Sequence, residues 1–146
     1  MLIERMLPTA RERLITMPDS APVIEAARLL HRGTDIVVIC DVAGHLSGVI
    51  TKGDVVNQIS HCCGASCTTG AIAVMTRDVV ICHPRDELGD IWTLMKDRTL
   101  KNIPIVDEER YPLGVLTAND AVQVLLREVE DEETLLRDYV IGIGYR

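Results

Sequence analysis

The chain has 146 residues, a formal net charge of −7, 47% apolar and 25% charged side chains, which suits one compact domain or two half-size units sharing a core and excludes disorder. The acidic balance excludes a general nucleic-acid surface, which needs clustered Lys and Arg, and with no Phe and only Trp92, Tyr111, Tyr139 and Tyr145 as aromatics there are too few rings for a single-strand stacking platform. No apolar run approaches the roughly 18 to 20 residues of a membrane span, and residues 1–13 bring charge too early for a secretory signal. A cytoplasmic location with reduced cysteines is expected.

After a helical lead-in containing Met6-Leu7-Pro8-Thr9, the chain is expected to form a short strand over residues 13–16, ended by Pro18. Val23, Ala26, Ala27 and Leu30 follow at helical spacing, with His31 at the helix end, where a cation meets a favourable dipole. The unbroken apolar run Ile36-Val37-Val38-Ile39-Cys40 reads as a strand buried on both faces. Asp41 closes it, a turn through His45 follows, and Gly48-Val49-Ile50 lies in the next strand. Thr51 ends that strand and opens a helix containing Asp54.

Beyond the connecting segment the order returns. A strand over residues 79–82 precedes Pro84, a helix carries Leu88, Ile91, Trp92 and Met95 on its core face, and Ile103-Pro104-Ile105-Val106 ends in Asp107. A turn through Tyr111 leads to Gly114-Val115-Leu116, Thr117 and a last helix. That helix runs from Asn119 past Leu126, through the acidic stretch 128–133, to Leu135, Leu136, Tyr139 and Val140.

These halves are one repeat. LSGVITKGDVV (46–56) recurs as PLGVLTANDAV (112–122) at an offset of 66, which also relates Pro18 to Pro84 and Asp41 to Asp107. The helices align at offset 65, so a one-residue gap flanks each side. The order β-α-β-β-α occurs twice, and about 60 residues per copy cannot bury both faces of a small sheet alone. The expected architecture is therefore α/β (α+β), two copies packed sheet to sheet with pseudo-two-fold symmetry. The division falls at 1–66, with the lead-in, and 67–146, with the extended last helix.

MTRDVVICHP (75–84), NIPIVD (102–107) and the two G-V-x-T-x-x-D segments resemble tandem CBS domains, named after cystathionine beta-synthase and called a Bateman module when paired. Nearly the whole chain takes part. Copy one departs by carrying Val38 where copy two has Pro104. The resemblance implies a regulatory module, of the stand-alone bacterial type, that is not an enzyme and requires no cofactor. It implies that AMP, ADP, ATP, S-adenosylmethionine or NAD-like molecules bind in two clefts between the copies. It further implies a homodimer, with an enzyme, channel or transporter as the regulated effector.

Thr51 and Thr117 stand where free backbone N–H groups and the positive helix end favour phosphate. Asp54 and Asp120 follow in the first turn, where a carboxylate can accept hydrogen bonds from both ribose hydroxyls. The same T-x-x-D spacing also resembles a helix capping box, and both readings stand. Family geometry adds backbone contacts to adenine from Ile15 and Thr16 in one cleft and from Ile81 and Cys82 in the other. Lys52 and Asn119 lie within the motifs, and Arg98, Lys101 and Asn102 precede the Pro104 strand. Asp35 stands where copy two has Lys101, so the second copy is the more anion-friendly and the clefts are expected to be unequal.

His61, Cys62, Cys63 and Cys67 form a cluster the repeat does not explain. It offers a soft-metal site, a redox-sensitive thiol site or incidental small residues. The apolar residues Leu2, Ile3, Met6 and Leu7, with Leu135, Leu136, Tyr139 and Val140, are the expected homodimer contacts. A ligand-free structural or dimerisation module is the alternative function. An enzyme is disfavoured, because the chain has no Walker A loop, no G-x-G-x-x-G after a first strand, no H-E-x-x-H and no G-x-S-x-G.

Overall fold

The computed structural model describes residues 1–31, 33–61 and 69–144, with side chains described for all of these except 61 and 138–144. A 3-10 turn (Ile3–Met6) leads into α1 (Leu7–Arg13), which carries Pro8 in its first turn, where the missing N–H costs no hydrogen bond. Copy one then forms β1 (Thr16–Pro18), α2 (Val23–Leu29), β2 (Ile36–Cys40), β3 (Leu46–Thr51) and α3 (Lys52–His61). Copy two follows the short α4 (Ala71–Val74) with α5 (Leu88–Asp97), β4 (Asn102–Val106), β5 (Pro112–Thr117) and the long α6 (Ala118–Gly144).

Two strands differ from expectation. The stretch 13–16 is not a strand, because Arg13 is still helical at the end of α1 and β1 starts at Thr16. The stretch 79–82 contracts to one parallel bridge, Cys82 to Ile105. Cys82 nevertheless takes the place of β1: its N–H donates to the Pro104 carbonyl (3.0 Å) and its carbonyl accepts from the Val106 N–H (2.9 Å). His31 lies two residues beyond the end of α2 rather than in its last turn.

The hairpins are superimposable in register. Ile36 pairs with Thr51 and Asn102 with Thr117, and each pairing shifts at the last step, at Ile39/Cys40 and Ile105/Val106. The repeated aspartates explain the turns beyond those shifts. Asp41 Oδ1 accepts the N–H groups of Ala43 (2.9 Å) and His45 (3.0 Å), and Asp107 Oδ1 accepts those of Glu109 and Tyr111 (both 2.9 Å). A carboxylate that bonds the backbone two residues on holds such a turn closed.

The unbroken apolar run of β2 is used on both faces. Ile36 and Val38 meet Leu46, Val49, Val106 and Val115 between the sheets, while Val37 and Ile39 join Met17, Val23, Ala26 and Ile50 under the helices of copy one. In copy two Ile103, Ile105 and Leu116 pack against Leu88, Ile91, Met95 and Ala121. Trp92 is half-buried against this cluster, with Lys96 Nζ 5.8 Å from its ring centroid.

The lead-in overturns one expectation and shows the organisation of the whole. Ile3 and Met6 are not surface contacts; they are buried, with Ala10, in the core of copy two. The Ile3 and Glu4 N–H groups donate to the carbonyls of Asp86 (2.9 Å) and Pro84 (2.8 Å). Reciprocally, Ala71, Val74 and Met75 complete the core of copy one, and the Val23 N–H donates to the Thr69 carbonyl (2.7 Å). Each copy is thus covered by the segment that precedes the other.

Gly48 and Gly114, related by the offset of 66, make the exchange possible. A Cβ on Gly114 would lie 2.7 Å from Ala10 Cβ, and one on Gly48 would lie 2.6 Å from the Thr76 carbonyl oxygen. Both are backbone-close approaches that no side chain fits. Gly114→Val should therefore lower stability by about 2 kcal/mol or more, read as a fall in thermal midpoint. Gly89→Ala, at a helical position with nothing within 4 Å of the new methyl, should leave the midpoint unchanged or raise it. An unchanged midpoint for Gly114→Val would show that α1 does not press on β5.

Two clefts at the repeat interface

Each T-x-x-D motif sits where a strand turns into a helix. In copy one, Thr51 ends β3 and Asp54 falls in the first turn of α3. The Asp54 carboxylate accepts the Thr51 N–H (2.9 Å), the Thr51 hydroxyl (3.2 Å) and the Thr76 hydroxyl (3.3 Å), while the Asp54 N–H donates to Thr51 Oγ1 (3.3 Å). This is a reciprocal capping box, reinforced by a hydroxyl from the incoming arm. Oδ2 takes the two Thr51 bonds, and the 3.3 Å contact to Thr76 falls on Oδ1.

Copy two keeps only half of that arrangement. The Asp120 N–H donates to Thr117 Oγ1 (3.1 Å), but the carboxylate faces Arg13. Nε and Nη2 of that guanidinium meet Oδ2 and Oδ1 at 3.2 Å each, and Asp120 is only 8% exposed. Forked pairs of this kind are both charged and geometrically matched.

Two cavities open between the copies. One, of about 470 Å³, is lined by Thr51, Lys52 and Asp54, with Val79, Val80 and Leu100 as an apolar wall. The other, of about 440 Å³, is lined by Thr117 and Asn119 with Ile15, Arg13 and Thr34. Asp35, Ile36, Lys101 and Asn102 line both. Lys52 Nζ lies 3.2 Å from Asp35 Oδ1, both partly exposed, so this pair contributes little to stability.

Of the residues named from sequence, Ile15, Thr51, Lys52, Asp54, Lys101, Asn102, Thr117 and Asn119 thus line the clefts. The remaining five stand elsewhere. Thr16 borders a separate depression beside Tyr111, and Ile81 packs against the inter-sheet core. Cys82 is fully buried with its backbone committed to Pro104 and Val106. Arg98 caps the C-terminus of α5 through its N–H to the Leu94 carbonyl (3.1 Å). Asp120 is turned to Arg13.

Sequence reasoning missed Arg13, Thr76 and Val79. The offset of 66 was the available signal: it aligns Ala10 with Thr76 and Arg13 with Val79, so the arms bring different chemistry to equivalent places.

The thiols that the structure describes are not activated. Burial, then the negative charge of Asp86, pushes the Cys82 thiol up from 9.0 to about 12, and burial, then Asp41 and Asp19, raises that of Cys40. His83 Nδ1 lies 3.0 Å from the Val106 carbonyl oxygen. Cys62, Cys63 and Cys67 lie outside the described residues, as does the side chain of His61.

Two copies of one β-α unit, with a cleft on each T-x-x-D motif where the copies meet, define a tandem-repeat module. The CBS domain model matches residues 7–61 and 71–127, and the chain belongs to the CBS domain family as a tandem pair. It is 27% identical over 127 residues to an uncharacterized protein of Methanopyrus kandleri, covering 84% of this chain and 65% of that one. It is 26% identical over 107 residues to L-aspartate semialdehyde sulfurtransferase of Methanocaldococcus jannaschii, covering 73% of this chain and 20% of that one. The chain therefore spans from a fifth to about two thirds of these relatives.

Solved structures share the fold. A CBS-domain containing protein of Agrobacterium tumefaciens aligns with a TM-score of 0.72 at 23% identity, covering 85% of this chain and 98% of that one. The CBS domain pair of protein MJ0100, solved with 5′-methylthioadenosine and S-adenosyl-L-methionine, aligns at 0.72 and 22% identity, covering 88% and 98%. CBSX2, solved with AMP, aligns at 0.73 and 21% identity, covering 86% and 96%.

The raised Cys82 thiol has a testable sign. The unfolded chain ionises this thiol above about pH 9 and the folded chain only near 12, so stability should fall as pH rises through that interval. At pH 8 the Cys82 peptide should escape iodoacetamide in the native protein and react fully in urea, as read by peptide mass spectrometry. Native labelling as fast as in urea would contradict the burial.

Proposed function

We propose that this CBS pair is a regulatory ligand sensor, without catalysis of its own, that binds an adenosine-containing molecule between its two copies. The observation that carries this reading is the placement of Asp54: a carboxylate at a strand-to-helix junction, facing a cleft of about 470 Å³ that has one apolar wall and one polar wall. Val79, Val80 and Leu100 suit the flat face of a purine. Asp54 suits a ribose diol, whose hydroxyls replace that of Thr76. Lys52, Lys101 and Asn102 suit the polar group carried on the ribose 5′ carbon. The cavity has the size of an ordinary small-molecule site, and the MJ0100 pair and CBSX2, of the same fold, were solved with adenosyl compounds.

A structural module is the second reading, and the completed capping box at Asp54 favours it. Calorimetric titration with AMP, ATP, S-adenosylmethionine, 5′-methylthioadenosine and NAD separates the two. On the sensor reading at least one binds, and Asp54→Ala weakens it tenfold or more. The bound compound at a hundred times its Kd should stabilise the fold by about 2.7 kcal/mol. If none binds and Asp54→Ala only lowers the thermal midpoint, the module is structural.

The partner surface that we assign to a second copy is built from the exposed apolar residues of α6, with Leu126, Val129 and Leu136 on one face and Leu135 beside it. Sedimentation equilibrium at micromolar concentration should show a dimer that Leu135→Glu/Leu136→Glu dissociates. A monomeric parent chain would refute the assignment.

A further inference from the structure

The copies are alike in backbone and unlike in what their arms deliver to the two carboxylates. Thr76 stands beside Gly48 and offers Asp54 a hydroxyl, while Val79 lines the same cleft. At the equivalent places the lead-in offers Ala10, beside Gly114, and Arg13. The consequence falls on Asp120. Both of its oxygens are held at 3.2 Å by one guanidinium, and the residue is 8% exposed.

We infer that Arg13 is a specificity-determining residue: by holding Asp120 it denies a ribose diol to the Thr117 cleft, so one chain takes one ribose-bearing ligand, in the Thr51 cleft. The inference rests on the sensor reading of the Thr51 cleft. To bind at Asp120, a diol must replace two hydrogen bonds from a cation with two from neutral hydroxyls and part the guanidinium from its carboxylate, an exchange that is unfavourable at a carboxylate only 10% exposed, although the Arg13 side chain itself is 46% exposed. At Asp54 the diol displaces a single neutral hydroxyl, that of Thr76, while the Thr51 bonds stay. Arg13 also lines the Thr117 cleft, where its side chain takes up space that the shorter Val79 leaves open opposite.

The test is stoichiometry, measured by calorimetry with S-adenosylmethionine and with AMP on the full chain. The parent protein should take one equivalent per chain, lost in Asp54→Ala. Arg13→Val, which installs the residue found at the equivalent position of the other arm, should take two, and Arg13→Val/Asp54→Ala should take one. The reverse graft, Val79→Arg, should place a guanidinium beside Asp54 and weaken the parent site tenfold or more. That variant keeps the inference falsifiable if Arg13→Val fails to fold.

Two equivalents in the parent protein would overturn the inference while leaving the sensor reading intact. So would one equivalent in a folded Arg13→Val, or undiminished binding in Val79→Arg. No binding to any variant would overturn both. Binding that appears only on Arg13→Val would support the role of Arg13 and sink the sensor reading of the Thr51 cleft.

Discussion

The exchange of covering segments is the constraint on which the rest of this structure depends. Neither sheet buries its outer face with residues of its own copy alone: copy two is closed by Ile3, Met6 and Ala10, and copy one by Ala71, Val74 and Met75. The contact is between backbones, at Gly48 against Thr76 and Gly114 against Ala10. Close approach of this kind fixes both the depth and the direction of the arms. Everything at the clefts, including which side chain meets Asp54 and which meets Asp120, follows from where those arms cross.

A symmetric scaffold therefore produces asymmetric chemistry. The hairpins keep the same register, the same late bulge and the same aspartate-held turn. Within that frame, a difference of two residues per arm converts one aspartate into a cap with neutral partners and the other into half of an ion pair. With the Arg13 side chain 46% exposed and that of Asp120 10% exposed, the pair is only half in water, and screening on the open side limits what it adds to stability. Its plainer effect is to specify what Asp120 touches. The four residues common to both cavities, Asp35, Ile36, Lys101 and Asn102, mean that the two clefts share a wall.

Much of this was legible in the sequence where the signal was local or repeated. The apolar runs of β2 and β4 announce buried strands, the offset of 66 announces the two-fold, and the T-x-x-D spacing announces a strand-to-helix junction. What escaped was long-range. Apolar residues at positions 2, 3, 6 and 7 say that the lead-in must be buried, yet not on what, and the surface of a second molecule was as consistent with them as the core of copy two. The offset of 66 aligns residues 13–16 with 79–82 and so suggests a strand from Arg13, whereas α1 runs through Arg13 and turns its guanidinium towards a carboxylate 107 positions along the chain. The family resemblance implies an adenine contact from the Cys82 backbone, while in the fold its N–H and carbonyl are bonded to Pro104 and Val106 at the edge of the sheet.

The reciprocal arms also set an order of assembly. As the chain leaves the ribosome, copy one has no cover until Ala71 to Met75 have been made, and the lead-in has nowhere to dock until Pro84 and Asp86 have been made. The first half of the chain thus waits, with its apolar strands uncovered, for the start of the second. Such non-local closure is slow relative to helix formation, so the two copies should appear in one cooperative step rather than one after the other. Neither repeat can close its core before the segment that precedes the other has been made.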